Sequence, residues 1–150
     1  MRARVTIGSV HAAYIEQLGK ISEIRYGELP DAEPGAGAVL VRVEAVGVDS
    51  VDTFLRSGRW PTQVSFPLAL GRDLVGSVVS VGSGVTEFRP GERVWTNSAG
   101  YGGRPGAAAE LVPWSTSGST DCHPAPTPSP TWRRFTPAPR RTACCWTGPG

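Results

Sequence analysis

AVLVRVEAVGVDSVDTFLRSG, residues 38–58, carries two periodicities back to back. Over 38–48 the side chains alternate: Val39, Val41 and Val43 fall on one face, Leu40, Arg42 and Glu44 on the other. A period of two, rich in β-branched residues, predicts a strand. At Asp49 the pattern changes. Asp49 or Ser50 suits an N-cap, because a short side-chain oxygen can accept from the free N–H groups of a first helical turn. Val51, Phe54 and Leu55 then recur at helical spacing as an inward face. Gly58 suits the left-handed residue that ends a helix.

Working toward the C-terminus, residues 59–70 hold Pro61 and Pro67 and predict an irregular loop. DLVGSVVSVGSGV, 73–85, reads as a strand, with Gly76 marking a bend or bulge. FRPGERVW, 88–95, is a Pro-Gly turn entering a strand around Val94. NSAGYGGRPGAAAELVP, 97–113, is a Gly-rich loop followed by a final strand over 108–112. Toward the N-terminus, PDAEPGAG (30–37) is a turn cluster, and 11–19 and 21–29 fit a hairpin or paired strands. Residues 1–10 form an N-terminal extension. Short strands, one short helix and frequent Gly turns predict a mainly β fold, a partly open barrel with a small helix. Gly82 and Gly84 do not complete a dinucleotide fingerprint, since position 87 is Glu and no convincing βαβ helix follows.

Composition sets the limits. At 150 residues, 39% apolar and 19% charged, the chain fits one domain. Gly and Pro together make 33 residues, which favours strands and turns over a helical bundle. No apolar run approaches the roughly 18 residues of a membrane span. The start lacks the apolar stretch of a secretory signal. A cytoplasmic protein with no membrane partner is expected.

The averages hide a break near Trp114. Val, Ile and Leu number 28 in residues 1–114 and none in 115–150. A segment without aliphatic residues cannot bury enough apolar surface to offset the entropy of ordering, so 115–150 is predicted to be a disordered tail. Residues 1–114 carry 11 basic and 12 acidic groups, the tail four Arg and one Asp. The net charge of +2 therefore belongs to the tail, and the body has no basic surface for nucleic acid. All three cysteines, Cys122, Cys144 and Cys145, are also in the tail. The adjacent pair suits neither a metal knuckle nor a mutual disulfide, so no metal is expected there.

Genetic-code arithmetic adds a reading of the tail as out-of-frame translation. Joining the third base of each codon to the first two of the next, Cys144-Cys145-Trp146-Thr147 must give Leu-Leu-Asp. Asp121-Cys122-His123-Pro124 must give Leu followed by two residues drawn from Pro and Ser. With permissive wobble bases the stretch reads as an apolar segment of helical spacing. A genuine Pro/Arg-rich disordered tail is the rival reading.

EPGAGAVLVRVEAVGVDSVDTFLRSGRW (33–60) and FPLALGRDLVGSVVSVGSGVTEFRPGERVW (66–95) resemble the medium-chain dehydrogenase/reductase superfamily. The part matched is its N-terminal chaperonin-10-like, or alcohol dehydrogenase GroES-like, catalytic domain. The chain is most similar to the zinc-independent quinone oxidoreductases of the zeta-crystallin type. The resemblance covers roughly residues 11–113 and sets the domain at 11–114, leaving 1–10 as extension and 115–150 as tail.

It implies a chaperonin-10-like partly open β-barrel. It also implies NADPH lying between this domain and a dinucleotide-binding domain that these residues do not contain. Zinc-dependent members place a Cys ligand where Asp49 stands, and a His ligand in a Gly-His-Glu triplet that here reads Gly71-Arg72-Asp73. An Arg in a ligand position repels a cation and offers no lone pair, so no zinc is expected. The quinone reductase group usually has Asn at the Asp49 position.

By resemblance, Asp49, Asp52 and Arg72 fall on the cofactor side of the cleft, and Arg56, Trp60 and Tyr101 near the substrate mouth. Tyr101 and its glycines would form a mobile loop over the cleft, while simpler roles stand beside the others: helix capping for the two Asp, an ion pair with Asp73 for Arg72, an exposed Arg for Arg56 and a core-capping ring for Trp60. The implied function is that of a truncated zinc-independent NAD(P)H-dependent oxidoreductase. In full-length relatives it would pass hydride to a quinone or activated alkene; this chain alone is expected to bind NADPH poorly. The implied partners are a small-molecule quinone or enone and, for the full-length form, a second copy of the chain. A non-enzymatic binding or interaction domain and an inactive pseudogene product remain as alternatives.

Overall fold

The strand that opens the 38–58 stretch sits at the centre of the molecule. The computed structural model describes residues 8–30, 32–116 and 123–124. β3 (Ala38–Gly47) lies between β5 (Asp73–Val81) and β7 (Leu111–Ser115), antiparallel to both. β6 (Arg93–Thr96) follows β5, and β8 (His123–Pro124) pairs with β6. The five-stranded order is β7-β3-β5-β6-β8. A second sheet, β2-β1-β4, is built from β1 (Ser9–Ile15), β2 (Arg25–Pro30) and β4 (Leu68–Ala69). A 3-10 turn, Ile21–Glu23, precedes β2. The sheets meet where Ala12 bridges Ala109 and Ala13 N–H donates to Ala108 O at 2.8 Å. The fold is mainly β with one helix, and the two sheets do not close into a barrel.

Alternation along β3 explains the core. Val39 and Val41 are fully buried with Leu74, Val78, Val94, Val112 and Trp114. Leu40, on the opposite face, packs with Val10 and Leu111 in a second cluster between the sheets. A strand that buries both faces early and exposes Arg42 and Glu44 later is central at one end and peripheral at the other. The irregularity expected at Gly76 is present, but the bulge is on the partner strand. The β3–β5 register shifts between Val43 and Ala45, and a Cβ on Gly76 would lie 2.3 Å from Arg42 O.

The structure departs from the sequence expectations in four places. β1 begins at Ser9 with Val10 already buried, so the extension ends two residues earlier than the boundary at 10. Leu68 and Ala69, within the expected loop, form β4 because they pair with Tyr14 and Ile15. The last strand is Leu111–Ser115 instead of 108–112, since its register opposes Val39 to Trp114 and Val41 to Val112. Of the tail, Ser115 and Thr116 continue the fold, Thr116 N–H donating to Gly37 O at 2.8 Å, and His123–Pro124 forms β8. The remainder of the expected disordered tail, with its three cysteines, lies outside the described residues. Among the described residues no helix is long and apolar enough to cross a membrane.

Candidate functional site

α1 (Ser50–Ser57) begins where β3 ends, and its first turn builds the site. Asp49 is the N-cap: its Oδ1 accepts from Val51 N–H at 2.7 Å and from Asp52 N–H at 3.3 Å. Asp52 reciprocates, its Oδ2 accepting from Asp49 N–H at 2.9 Å, which completes a capping box. Gly58, with φ 76°, ends the helix. Leu55 is buried against Ile15 and Leu68, as expected. Phe54 is not: it is 40% exposed, and Asp52, 8% exposed, takes the inward position. The reason is local. The capping box folds the Asp52 side chain back under the first turn, while Phe54 lies about 100° round the helix from Leu55.

Across from Asp52 stands Arg72. Its Nε donates to Asn97 O at 2.8 Å, and its guanidinium carbon lies 5.8 Å from the Trp60 ring centre and 5.5 Å from that of Tyr101. The two rings meet edge to face, 5.7 Å apart at 69°. Cation–π contacts of this kind contribute about 0.5–1 kcal/mol at exposed sites and more when shielded from water. Among the described residues Arg72 makes no ion pair with Asp73; the aromatic faces and the Asn97 carbonyl hold it instead.

The loop carrying Tyr101 is stitched to the loop after α1. Gly102 N–H donates to Thr62 Oγ1 at 3.1 Å and Gly103 N–H to Gln63 O at 3.0 Å. Gly100 N–H donates to Pro105 O at 2.8 Å. Close backbone contact at the base of the loop requires Gly106, where a Cβ would lie 1.8 Å from Ala69 O.

Asp52, Arg72, Trp60 and Tyr101 thus line one small pocket, floored by Val51 and Leu55, with a volume of about 10 Å³. Burial pushes the Asp52 carboxyl above its ordinary value; the charges of Asp49 and Asp73 add to this, while the hydrogen bond from Asp49 N–H and the charge of Arg72 oppose it. Asp73 is also raised, by burial first and then by Asp49, against the pull of Arg72. Asp52 Oδ1 is buried and has no hydrogen-bond partner.

Four of the six residues singled out in the sequence therefore meet in one place. Asp49 stands behind them as the cap. Arg56 turns elsewhere: its guanidinium donates to Gly19 O, and Gly19 N–H donates back to Arg56 O at 2.9 Å, tying the helix end to the β1–β2 connection. The sequence reading missed Val51, Ala99 and Gly100 as pocket walls, and Asn97. Asn97 acts through its carbonyl, a group every residue carries, so its side chain gave no signal.

The sequence profile of the alcohol dehydrogenase GroES-like domain matches residues 35–126, more than half of the chain. An alcohol dehydrogenase of Schizosaccharomyces pombe is 38% identical over 91 residues, 59% of this chain and 26% of that protein. A quinone oxidoreductase of Rattus norvegicus is 40% identical over 70 residues, 47% of this chain and 21% of that protein. Among solved structures, a mycobacterial protein in complex with NADPH superposes with a TM-score of 0.66 at 33% identity, over 79% of this chain and 34% of that one. The chain spans about a quarter of the length of the curated relatives it matches. It belongs to the alcohol dehydrogenase GroES-like domain family, within the medium-chain dehydrogenase/reductase superfamily.

Proposed function

We propose that this chain forms one wall of the active-site cleft of a zinc-independent, NADPH-dependent oxidoreductase acting on a quinone or an activated alkene. The observation that carries the reading is the Arg72 guanidinium resting against both Trp60 and Tyr101, in the pocket that Asp52 also lines. Flat aromatic edges suit a planar conjugated substrate, and a fixed cation suits the negative charge that develops on its oxygen.

The donor set does not suit catalytic zinc. Asp49 Oδ1 is engaged at the helix N-terminus, Arg72 is a permanent cation, and among the described residues no three His, Cys, Asp or Glu side chains cluster. For NADPH, Arg72 and Asp52 are the groups this chain would offer to the nicotinamide end. Its phosphates would need a second wall, because the N–H groups at the start of α1 already face the Asp49 carboxylate. Hydride supply would be the cofactor's contribution when bound. A cytoplasmic location and a homodimeric full-length form go with this reading.

So does a reading frame that changes within 115–150 and truncates the protein. The profile match and β8 overlap the start of that segment in the frame as given, and the coding DNA decides.

The experiment compares the 150-residue chain with a chain extended, in the open frame, by a dinucleotide-binding domain. The extended chain is expected to oxidise NADPH with a quinone acceptor and to contain no stoichiometric zinc; the short chain is expected to turn over poorly. Equal turnover by both would refute the two-wall argument, and one zinc per extended chain would refute zinc independence.

A further inference from the structure

Asp52 does more than its capping role requires. The cap uses only Oδ2, while Oδ1 lies buried with no partner. Leaving a buried carboxylate oxygen unmatched costs free energy, and such a group points to a missing ligand. Arg72 lines the same pocket with Nε engaged on Asn97 O, and no hydrogen bond among the described residues engages its two terminal nitrogens. The volume they share, about 10 Å³, is about that needed by one oxygen-sized group. Trp60 and Tyr101 stand at its side.

We propose that this pocket seats the acceptor oxygen of the substrate, with Arg72 donating hydrogen bonds to it and Asp52 delivering a proton to it. The proposal rests on the oxidoreductase reading above. As the conjugated substrate carbon accepts a hydride from a reduced nicotinamide, the C=O π pair moves onto oxygen. The Asp52 O–H bond then breaks, and its proton joins that oxygen. The Asp52 carboxylate, left beside Arg72, regains a proton from water. The substrate gains two electrons and two hydrogens in all, and the nicotinamide is oxidised. A placed acid of this kind contributes roughly 10²–10⁴ in rate. Burial and the neighbouring Asp49 and Asp73 raise the Asp52 carboxyl above its ordinary value, against the hydrogen bond from Asp49 N–H and the charge of Arg72.

The test uses the 150-residue chain and 2,4-dinitrophenolate, a flat-ring oxyanion that stays ionised near neutral pH. Binding is followed by absorbance across pH. The chain is expected to bind it, and Arg72→Gln to bind about tenfold more weakly or less, as loss of a charge-assisted hydrogen bond implies. Affinity should fall as rising pH ionises Asp52. In Asp52→Asn, which keeps an acceptor for Asp49 N–H and places an N–H donor at the Oδ1 position, that fall should vanish. Arg59→Gln, at an exposed position outside the pocket, is expected to bind as the parent does.

Absence of binding, equal affinity in Arg72→Gln, or the same pH profile in the parent and Asp52→Asn would overturn the assignment. The Asp52 carboxyl carbon, followed by NMR in the parent, must titrate over the range in which affinity falls; a mismatch overturns it even if Asp52→Asn does not fold. If these profiles appear while the extended chain reduces no quinone, the oxygen seat stands and the reaction does not. The reverse result removes the seat and keeps the reaction.

Discussion

Asp49 and Asp52 each satisfy a backbone N–H of the other, so a residue without an acceptor at either position leaves an N–H unmatched. Asp49→Ala leaves the N–H groups of Val51 and Asp52 without their acceptor. It is expected to destabilise the chain by about 1 kcal/mol, read from urea unfolding midpoints. Asp52 acts on stability through protons as well. Its carboxyl and that of Asp73 hold protons more tightly in the folded chain than at their ordinary value of 3.8. Between those values the folded state binds more protons than the unfolded one. This contribution is therefore fully present below pH 3.8 and is lost as pH rises through the folded values. Asp52→Asn has no charge to bury, so its melting temperature relative to the parent should climb as pH rises above 3.8; a gap independent of pH would contradict this. At this scale the sequence was legible where chemistry is local. The cap could be read from Asp49 and the stop from Gly58. The inward turn of Asp52 could not, because periodicity assigns Phe54, the larger apolar side chain, to the core.

Elements meet here through glycine contacts that admit no side chain. Gly106→Ala would drive a Cβ to 1.8 Å from Ala69 O, and Gly76→Ala to 2.3 Å from Arg42 O, both against backbone. Each is expected to cost about 1–3 kcal/mol or more, seen as a lowered thermal midpoint, with Gly106→Ala also loosening the loop that carries Tyr101. An exposed control, Gly35→Ala, should change little, since nothing lies within 4 Å of the added Cβ and its φ is not in the left-handed region. The two long strands and the helix were legible because each carries its own period over eight or more residues. β4 was not, since two residues have no period. The three-residue displacement of β7 was not either. Its register is set by Val39 and Val41, some seventy residues away, and no local pattern in AAAELVPW records them.

The whole molecule depends on pairings distant in sequence. β3 is laddered to strands that begin at Asp73 and Leu111, and the β1 sheet is hinged on Ala109. A chain ending at Thr116 keeps all of these and, of the described residues, loses β8, two residues paired with Val94 and Trp95. It is expected to fold, with slow amide exchange at Val39 and Val41 as in the full chain; loss of that protection would show that the later residues are required. Fold class was legible at this scale from composition and turn spacing, and the family from two motifs. Strand order was not, because any antiparallel meander satisfies the same local signals. The pocket was half legible: its polar members are conspicuous residue types, while the strands and loops that bring Trp60, Arg72 and Tyr101 together are a product of the fold.

The Asp49 cap also constrains what this scaffold can become. Building a thiolate–imidazole pair by replacing Asp49 and Arg72 would remove, in one stroke, the acceptor that starts α1 and the cation that faces Asp52. The helix would begin about 1 kcal/mol weaker, and the Asp52 and Asp73 carboxylates would be left to repel each other and the new thiolate until a divalent ion arrived. Interconversion between metal-dependent and metal-free versions of this architecture is then not a two-residue exchange.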